Sequence, residues 1–194
     1  MQQYIRAHNF GLLILADDTG IEANHVPFHL VTGKSGTLGQ LQCHLSRSNS
    51  AWQRLQQAVR VLVVFQGPHA YVSPSWYPTK AETGRVVPTW NYLAIHAEGS
   101  PRVIQDPAWL YQHLQDLSSQ QEASLPQPWA VDDAPAEYIE RLMAGIVGVE
   151  INITALSGKL KASQNQPEQN RAGVKAALAD AEGTLGPAFS RLMR

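Results

Sequence analysis

The sequence contains almost no cysteine, since Cys43 is the only one among 194 residues. This excludes an intramolecular disulfide and is typical of a protein from a reducing compartment. Cys43 stands in the apolar segment LQCHL, where a cysteine is more often a small core residue than a nucleophile. We therefore expect a buried thiol and a cytoplasmic protein.

Long apolar runs are also lacking, and none approaches the roughly 20 residues of a membrane-spanning helix. The first residues, MQQYIRAHNFGLLILA, lack the basic flank, long apolar stretch and small-residue cleavage site of a signal peptide. These absences predict a soluble protein with no membrane partner.

Neither sign of charge is in excess: 15 Lys and Arg stand against 16 Asp and Glu, a net charge of -1. Nucleic-acid-binding domains normally carry a basic patch, so the composition does not favour DNA as a partner. GxSxG, GxGxxG and P-loop motifs are absent. His25 and His29 lie four apart on one predicted strand without a third ligand, so no metal site is predicted.

What the chain does contain is a series of short apolar runs separated by turns, which predicts antiparallel strands. The first runs extend from Gly11 to Ala16, Ile21 to Val31 and Leu38 to Leu45, with turns at 17–20 and 32–36 between them. Further strands are predicted at Val61–Phe65, Ala70–Trp76, Thr89–Ala97 and Gly145–Leu156. In the last of these, Val147, Val149, Ile151 and Ile153 point inward and Glu150, Asn152 and Thr154 outward.

Helical spacing recurs between the strands. The first predicted helix places Trp52, Leu55 and Val59 on one face. A second helix begins at Asp106-Pro107, and its apolar stripe is formed by Trp109, Leu110, His113, Leu114 and Leu117, with a polar loop at 118–130 after it. A third helix places Tyr138, Leu142 and Met143 inward. A C-terminal helix is expected at about 168–183. The fold class is therefore α+β, mainly β with flanking helices, in a single domain of residues 1–194.

The first candidate site is the stretch His44, Ser46, Arg47, Ser48 and Asn49, where a predicted strand meets a helix N-terminus. Free backbone N–H groups and the helix dipole favour an anion there, and the arginine fork matches phosphate. The alternative is a plain capping turn with a solvated arginine.

The second candidate is the segment Gln66–Asn91, QGPHAYVSPSWYPTKAETGRVVPTWN, which is rich in aromatic residues. Trp76, Tyr77, Trp90 and Tyr92 could wall a planar ligand, because flat rings stack while their polar tips orient it. A core or dimer interface would use the same residues.

The third candidate follows the last strand, where Lys159, Lys161, Ser163, Gln164 and Asn165 form a donor-rich segment. An exposed strand end with solvated lysines is the alternative.

Four segments resemble the PaiB family of FMN-binding negative transcriptional regulators: HLSRSNSAW at 44–52, VLVVFQGPHAYVSPSWY at 61–77, VPTWNY at 87–92 and KASQN at 161–165. The resemblance extends from about Ile5 to Leu178. The family is similar to the pyridoxamine-phosphate-oxidase-like flavin proteins. This implies an antiparallel split β-barrel that binds FMN at the interface of a homodimer.

The resemblance also implies roles for the candidate residues. The FMN phosphate is expected at His44–Asn49, and Trp76, Trp90 and Asn91 are expected to contact the flavin or the second subunit. Ser46 and Ser48 stand where the family usually has alanine, and Asn170 stands where it has aspartate. A tyrosine-proline-phenylalanine element that family members carry upstream of the first strand is missing or replaced here.

The implied function is that of a flavoprotein acting as a negative transcriptional regulator and redox sensor, with no residue assigned a catalytic role. The alternative is a split-barrel interaction protein that binds haem or no cofactor. DNA is a further partner that the family name suggests, although no helix-turn-helix pattern is present.

Overall fold

A computed structural model of the chain describes residues 1–33 and 37–193. These residues contain the strands β1 (Phe10–Asp17), β2 (Gly20–Pro27), β3 (His29–Val31), β4 (Gln40–Ser46), β5 (Val61–Val72), β6 (Thr89–Ile104) and β7 (Ile146–Lys161). The sheet has the order β2-β1-β5-β6-β7-β4-β3. Pairing is antiparallel between β1 and β2, β1 and β5, β3 and β4, and β4 and β7, which confirms the predicted class.

The helices are α1 (Gln2–Ala7), α2 (Ala51–Leu55), α3 (Thr79–Thr83), α4 (Pro107–Glu122), α5 (Ala136–Met143), α6 (Glu168–Ala179) and α7 (Leu185–Ser190). Short 3-10 turns occur at Pro74–Trp76 and Val131–Asp133. No helix within the described ranges is long and apolar enough to cross a membrane.

The chain divides into two compact units. The first unit contains Met1–Phe65 and His96–Ser157, and the second contains Gln66–Ile95 and Gly158–Arg194. Strands β5, β6 and β7 contribute residues to both units.

The core of the first unit is built on the alternation of β4 and β7. The inward residues of both strands are almost fully buried: Leu41, Cys43, Leu45, Val147, Val149 and Ile151. Burial also raises the pKa of the Cys43 thiol, because the thiolate would lose its hydration. The predicted core position of Cys43 is confirmed.

Helix α4 begins as its sequence predicts. Asp106 Oδ2 accepts a hydrogen bond from the backbone N–H of Trp109 at 3.1 Å, and Pro107 occupies the first turn. Leu110 and Leu117 are buried on the inner face. The helix therefore presents its apolar stripe to the first unit.

The second unit has a core of its own. It joins the end of β5 to α6, α7 and the segments around them, through Val72, Tyr77, Ala162, Val174, Leu178, Phe189 and Met193. Helix α6 approaches the Pro74–Trp76 turn closely, because a Cβ on Gly173 would stand 2.2 Å from the Trp76 carbonyl oxygen. The predicted C-terminal helix corresponds to α6, and the short helix α7 follows it.

Several predicted strand boundaries differ from the structure. The run from Ile21 to Val31 is two strands, which are separated at the buried Phe28. His25 and His29 consequently lie on different strands. The strands predicted at Val61–Phe65 and Ala70–Trp76 are one continuous strand, β5, which ends at Val72, and Pro74–Trp76 is a 3-10 turn instead. Of the turn predicted at 32–36, residues 34–36 lie outside the described residues.

Some predicted faces are also wrong. Helix α2 ends at Leu55, so Val59 lies beyond it and is 85% exposed. In α5 the buried residue is Ile139, and Tyr138 and Leu142 are exposed. Glu150 points into a buried position beneath Arg102, whose Nη2 lies 2.9 Å from its carboxylate.

The loop predicted at 118–130 begins later than expected. Helix α4 continues to Glu122, so residues 118–122 are helical. Glu122 then accepts a hydrogen bond from the backbone N–H of Trp129 at 3.0 Å. This hydrogen bond joins the end of α4 to Trp129 near the end of the loop.

Gly148 of β7 allows helix α4 to pack closely on the sheet. A Cβ at this position would stand 2.3 Å from Cζ3 of Trp109, closer than carbon atoms can approach. We therefore expect Gly148→Ala to lower the free energy of unfolding by about 1–3 kcal/mol. Urea denaturation monitored by circular dichroism measures this change.

The control is the same substitution in a Trp109→Ala background, where the obstructing ring is gone. Most of the cost of Gly148→Ala should disappear there. An equal cost in both backgrounds would show that the contact with Trp109 is not its cause.

Candidate functional site

Arg47 lies in the turn between β4 and α2 and binds the segment that precedes β7. Its Nε donates to the carbonyl of Ala144 at 3.0 Å, and its Nη2 donates to the carbonyl of Ile146 at 3.2 Å. Its Nη1 donates to the side-chain oxygen of Gln105 at 2.8 Å. Three of the five N–H donors of the guanidinium are thus used within the first unit. Arg47 first of all connects this turn to residues 144–146.

The backbone donors of the same turn are also occupied. The N–H of Arg47 donates to Gly145, that of Ser48 to Ser46 Oγ, and that of Asn49 to the carbonyl of Ser46. The side chain of Asn49 caps the turn, because its Oδ1 accepts from the N–H of Ala51 at 2.9 Å. Since α2 has only five residues, its dipole is small. The turn therefore offers an anion fewer free donors than the sequence suggests.

The two serines of this stretch bind each other. Ser46 Oγ and Ser48 Oγ are 2.8 Å apart, and both residues are exposed. Trp52 closes the turn by donating from Nε1 to the carbonyl of Arg47 at 3.0 Å. These contacts give the turn a defined shape without any ligand.

A cavity of about 500 Å³ lies beside Arg47 in the first unit. Its lining consists of Arg47, Gln105, Pro107, Leu110, Glu140, Met143 and Ala144. The lining includes the negative carboxylate of Glu140 as well as the positive guanidinium of Arg47, so this cavity carries both signs of charge.

His44, the first residue of the predicted site, contacts a second histidine that the sequence did not single out as functional. His44 Nδ1 lies 3.1 Å from Nε2 of His113 on α4, and the two rings meet edge to face. His113 is almost fully buried, and Trp109 stacks on its other face with ring centroids 5.2 Å apart. The only sequence signal was a polar residue within the apolar stripe of α4.

The histidine pair is held in a neutral state. Burial lowers the pKa of His113 to about 3, and the neighbouring His44 and His29 add to the effect. Burial also lowers the pKa of His44. His113 Nδ1 is buried and has no hydrogen-bond partner among the described residues, so protonating that nitrogen would bury an unpaired donor.

The second unit presents an aromatic cluster, here called the Trp90 cluster, formed by the exposed Tyr71 and Trp90 and the half-buried His69. The indole of Trp90 on β6 is 54% exposed, although its residue lies within a strand. Its centroid lies 6.0 Å from the ring of His69 and 6.0 Å from that of Tyr71, both on β5. The cluster offers flat faces on which a planar ring could stack.

Asn91 and Ser163 use their polar atoms on each other. Asn91 Nδ2 donates to Ser163 Oγ at 3.0 Å, and both side chains are buried. Ser163 has a φ of 58°, the one left-handed backbone among the non-glycine residues described. This pair positions the end of β7 against β6 within the second unit.

The other predicted residues of the second unit have separate partners. Lys161 donates from Nζ to Oγ1 of Thr89 at 2.5 Å and is half-buried, so it is not a solvated lysine. Gln164 donates from Nε2 to the carbonyl of Leu160 and accepts from the N–H of Ala162. Trp76 is half-buried and packs against the core of this unit.

Asn170 stands where the resemblance predicts aspartate. Its Oδ1 accepts from Oγ1 of Thr79 at 3.1 Å, as a carboxylate could, and its Nδ2 donates to Gln166 at 3.0 Å. The amide thus satisfies a buried position with both a donor and an acceptor.

The predicted site residues divide between the two units. His44, Ser46, Arg47, Ser48 and Asn49 lie in the first unit. Trp76, Trp90, Asn91, Lys161, Ser163 and Gln164 lie in the second.

The sequence model of a protein family described as "Putative FMN-binding domain" matches residues 1–155. The chain belongs to this family. The FMN-binding domain match ends within β7, so α6 and α7 lie beyond it.

The similarity to full-length relatives covers nearly the whole chain, including the part beyond the FMN-binding domain. An uncharacterized protein of Emericella nidulans is 34% identical over 228 residues, which covers 100% of this chain and 91% of the relative. The protease synthase and sporulation protein PAI 2 of Bacillus subtilis is 28% identical over 190 residues, covering 98% of this chain and 88% of the relative. The predicted membership of the PaiB family is confirmed.

A solved structure with the same fold is the FAD and Heme binding protein from Mycobacterium smegmatis. Its TM-score is 0.55 at 14% identity, and the match covers 87% of this chain and 73% of that one. At this low identity the match shows the fold alone. The shared fold confirms the predicted split-barrel class. The predicted cofactor is confirmed at the level of the family, whose domain is an FMN-binding one.

Arg47→Ala removes three hydrogen bonds that bind the β4–α2 turn to Gln105 and residues 144–146. We expect the free energy of unfolding to fall by about 1–2 kcal/mol, a modest value because Arg47 is exposed. Urea denaturation tests this. The matched control is Arg60→Ala, which breaks only an exposed ion pair of 3.4 Å with Glu98. Equal stability of the two variants would contradict a structural role for Arg47.

Because His113 is buried, we expect the free energy of unfolding to depend on pH. The pKa of His113 in the folded protein, about 3, lies below the ordinary 6.5, so its contribution to stability is fully present above pH 6.5 and is lost as pH falls below that value. His113→Gln should remove this loss, which amounts to at most about 1.4 kcal/mol per pH unit.

Urea denaturation of the wild type and His113→Gln at pH 7.5 and pH 5 measures the difference. His25→Gln, at an exposed histidine, is the control. If wild type and His113→Gln lose equal stability on acidification, His113 is not the group that titrates.

Proposed function

We propose that this protein is a homodimeric flavoprotein of the PaiB type, in which bound FMN acts as a redox sensor in the negative control of transcription. The family match over residues 1–155 supports FMN as the ligand. The likeness to PAI 2 over 98% of the chain supports the PaiB type. When bound, FMN supplies the electron-transfer chemistry, and the protein supplies binding and orientation.

The observation that carries the proposal is the Trp90 cluster. Trp90 lies within a strand and is 54% exposed, so more than half of its surface stays in water and the fold gains less from it than from a buried ring. The neighbouring rings of His69 and Tyr71 limit the directions in which it can turn. A preformed aromatic surface of this kind suits an isoalloxazine ring, which is flat and apolar on both faces.

The same region supports the homodimer. Besides Trp90 and Tyr71, the second unit exposes Val87 and Tyr92. Exposed apolar and aromatic residues close together in the chain are typical of surfaces that pair with another protein. A second copy of the chain covering this surface would also exclude water from a flavin held there.

The regulatory role is proposed through a protein partner rather than through DNA. The net charge of -1 provides no general attraction to nucleic acid. At the end of β7, Lys161 is engaged with Thr89, which leaves the exposed Lys159 as the more available cation there. We place this activity in the cytoplasm, in keeping with the single buried thiol.

The test combines flavin binding with substitution of Trp90. Protein reconstituted with FMN should show the flavin absorbance bands after removal of free cofactor. Trp90→Ala should bind FMN about three- to tenfold more weakly, because a stacking contact contributes on the order of 0.5–1.5 kcal/mol. Trp129→Ala is the matched control, since that indole is 43% exposed and belongs to the first unit.

Absence of flavin bands at saturating FMN would overturn the proposal, and a Soret band after incubation with haem would favour the haem-binding alternative. Light scattering coupled to size exclusion measures the mass of the particle. A mass of 21.3 kDa in the presence of FMN would show a monomer and contradict the dimer. A mobility shift with upstream DNA would contradict regulation through a protein partner alone.

A further inference from the structure

The second unit contains a cavity of about 470 Å³, and of the candidate residues named from the sequence only Gln164 lines it. It lies at the end of β7 and beside α6 and the end of α7. Its lining consists of Leu160, Ala162, Gln164, Arg171, Arg191 and Leu192. We call it the Arg171–Arg191 cavity. All six of these residues lie beyond the match to the FMN-binding domain, which ends at residue 155.

The charge of this cavity has one sign. Among the described residues, two guanidinium groups line it and no carboxylate does, whereas Arg47 shares its cavity with Glu140. Arg191 is exposed, and no described residue forms an ion pair or a side-chain hydrogen bond with it. A cation in this position has its donors available to a ligand.

Arg171 contributes a second observation. One end of its guanidinium pairs with Glu168, one turn earlier on α6. Its Nε–H, however, is buried and has no hydrogen-bond partner among the described residues. A buried donor without a partner costs free energy, so the fold does not fully satisfy this guanidinium.

Hydrogen bonds fix the part of the cavity lining that follows β7. Gln164 bonds back to the carbonyl of Leu160 at 2.8 Å and to the N–H of Ala162 at 2.7 Å. These bonds hold the chain around Ala162 in one conformation, so the walls are formed before a ligand arrives. Preorganised walls reduce the entropy lost on binding.

Two kinds of surface meet in the cavity. The guanidinium groups of Arg171 and Arg191 can donate hydrogen bonds to the oxygens of a phosphate or a carboxylate. A phosphate accepts more of these hydrogen bonds because it has more terminal oxygens than a carboxylate. Leu160, Leu192 and Ala162 provide an apolar wall. Inorganic phosphate would use only the first surface, and a neutral apolar molecule only the second.

We propose that the Arg171–Arg191 cavity binds the phosphate group of an organic phosphate monoester, with the apolar part of the ligand against Leu160 and Leu192. The volume accommodates a small aromatic phosphate. FMN is one ligand of this class, but the cavity's chemistry does not depend on the ligand being a flavin.

Calorimetric titration of the full chain with phenyl phosphate tests the proposal. Phenyl phosphate should bind more tightly than inorganic phosphate, and benzyl alcohol should not bind. Arg171→Gln and Arg191→Gln should each weaken phenyl phosphate at least about tenfold, the typical value of a charge-assisted hydrogen bond. Leu160→Ala should weaken phenyl phosphate and leave inorganic phosphate unchanged.

The matched control is Arg85→Gln, because Arg85 is an exposed arginine of the same unit that does not line this cavity. It should bind phenyl phosphate like the wild type. Thermal melts confirm folding, and Arg191→Gln keeps the test valid if Arg171→Gln is unstable, since no described side chain pairs with Arg191.

Titration with FMN and riboflavin identifies the source of the phosphate. Loss of FMN binding in Arg191→Gln, with riboflavin binding retained, supports the proposal and assigns the cavity to the phosphate of FMN. Loss of phenyl phosphate binding alone also supports it and assigns the cavity to a second ligand.

The proposal is overturned if phenyl phosphate does not bind at millimolar concentration, or if both arginine variants bind it like the wild type. Equal affinity for inorganic and phenyl phosphate would overturn the apolar half of the site. A protein that binds phenyl phosphate but not FMN would refute the proposed flavin function and leave this site in place.

Discussion

The first unit depends on the antiparallel pairing of β4 with β7, which runs from Gln40 opposite Asn152 to Ser46 opposite Ile146. This register places His44 opposite Gly148, where the missing Cβ admits the ring of Trp109 from α4. The indole in turn covers His113, so strand pairing, helix packing and the histidine pair are parts of one arrangement. A shift of one residue would turn every side chain of β4 to the opposite face.

Arginine serves two purposes in this chain, and the surroundings decide which one. Arg47 is joined to two carbonyls and an amide, so most of its hydrogen-bonding capacity is used by the fold. Arg191 has no such partners within the described ranges, and Arg171 keeps one buried donor unpaired. A guanidinium that the fold has not satisfied is the better candidate for an anionic ligand, since binding need not break existing bonds.

The sequence predicted the antiparallel class, the buried face of β4 and β7, and the cap of α4 at Asp106, because period-two alternation and capping are local signals. It did not predict where β5 would continue or which face of α5 would be buried. Those outcomes depend on neighbours that are distant in sequence. Candidate donors were recognised by residue type, but Arg47 and Asn91 proved to be engaged by partners that no spacing rule specifies.

By itself, the sequence determined the family, the fold class and the aromatic character of the segment from Gln66 to Asn91, all of which follow from residue types in consecutive order. Only the tertiary structure decided which polar groups are already satisfied. It buried His113 against Trp109, left Trp90 exposed, and brought Arg171 and Arg191 to one cavity from positions twenty residues apart. The physical reason is that hydrogen-bond satisfaction and burial depend on contacts across the fold, which a linear pattern does not contain.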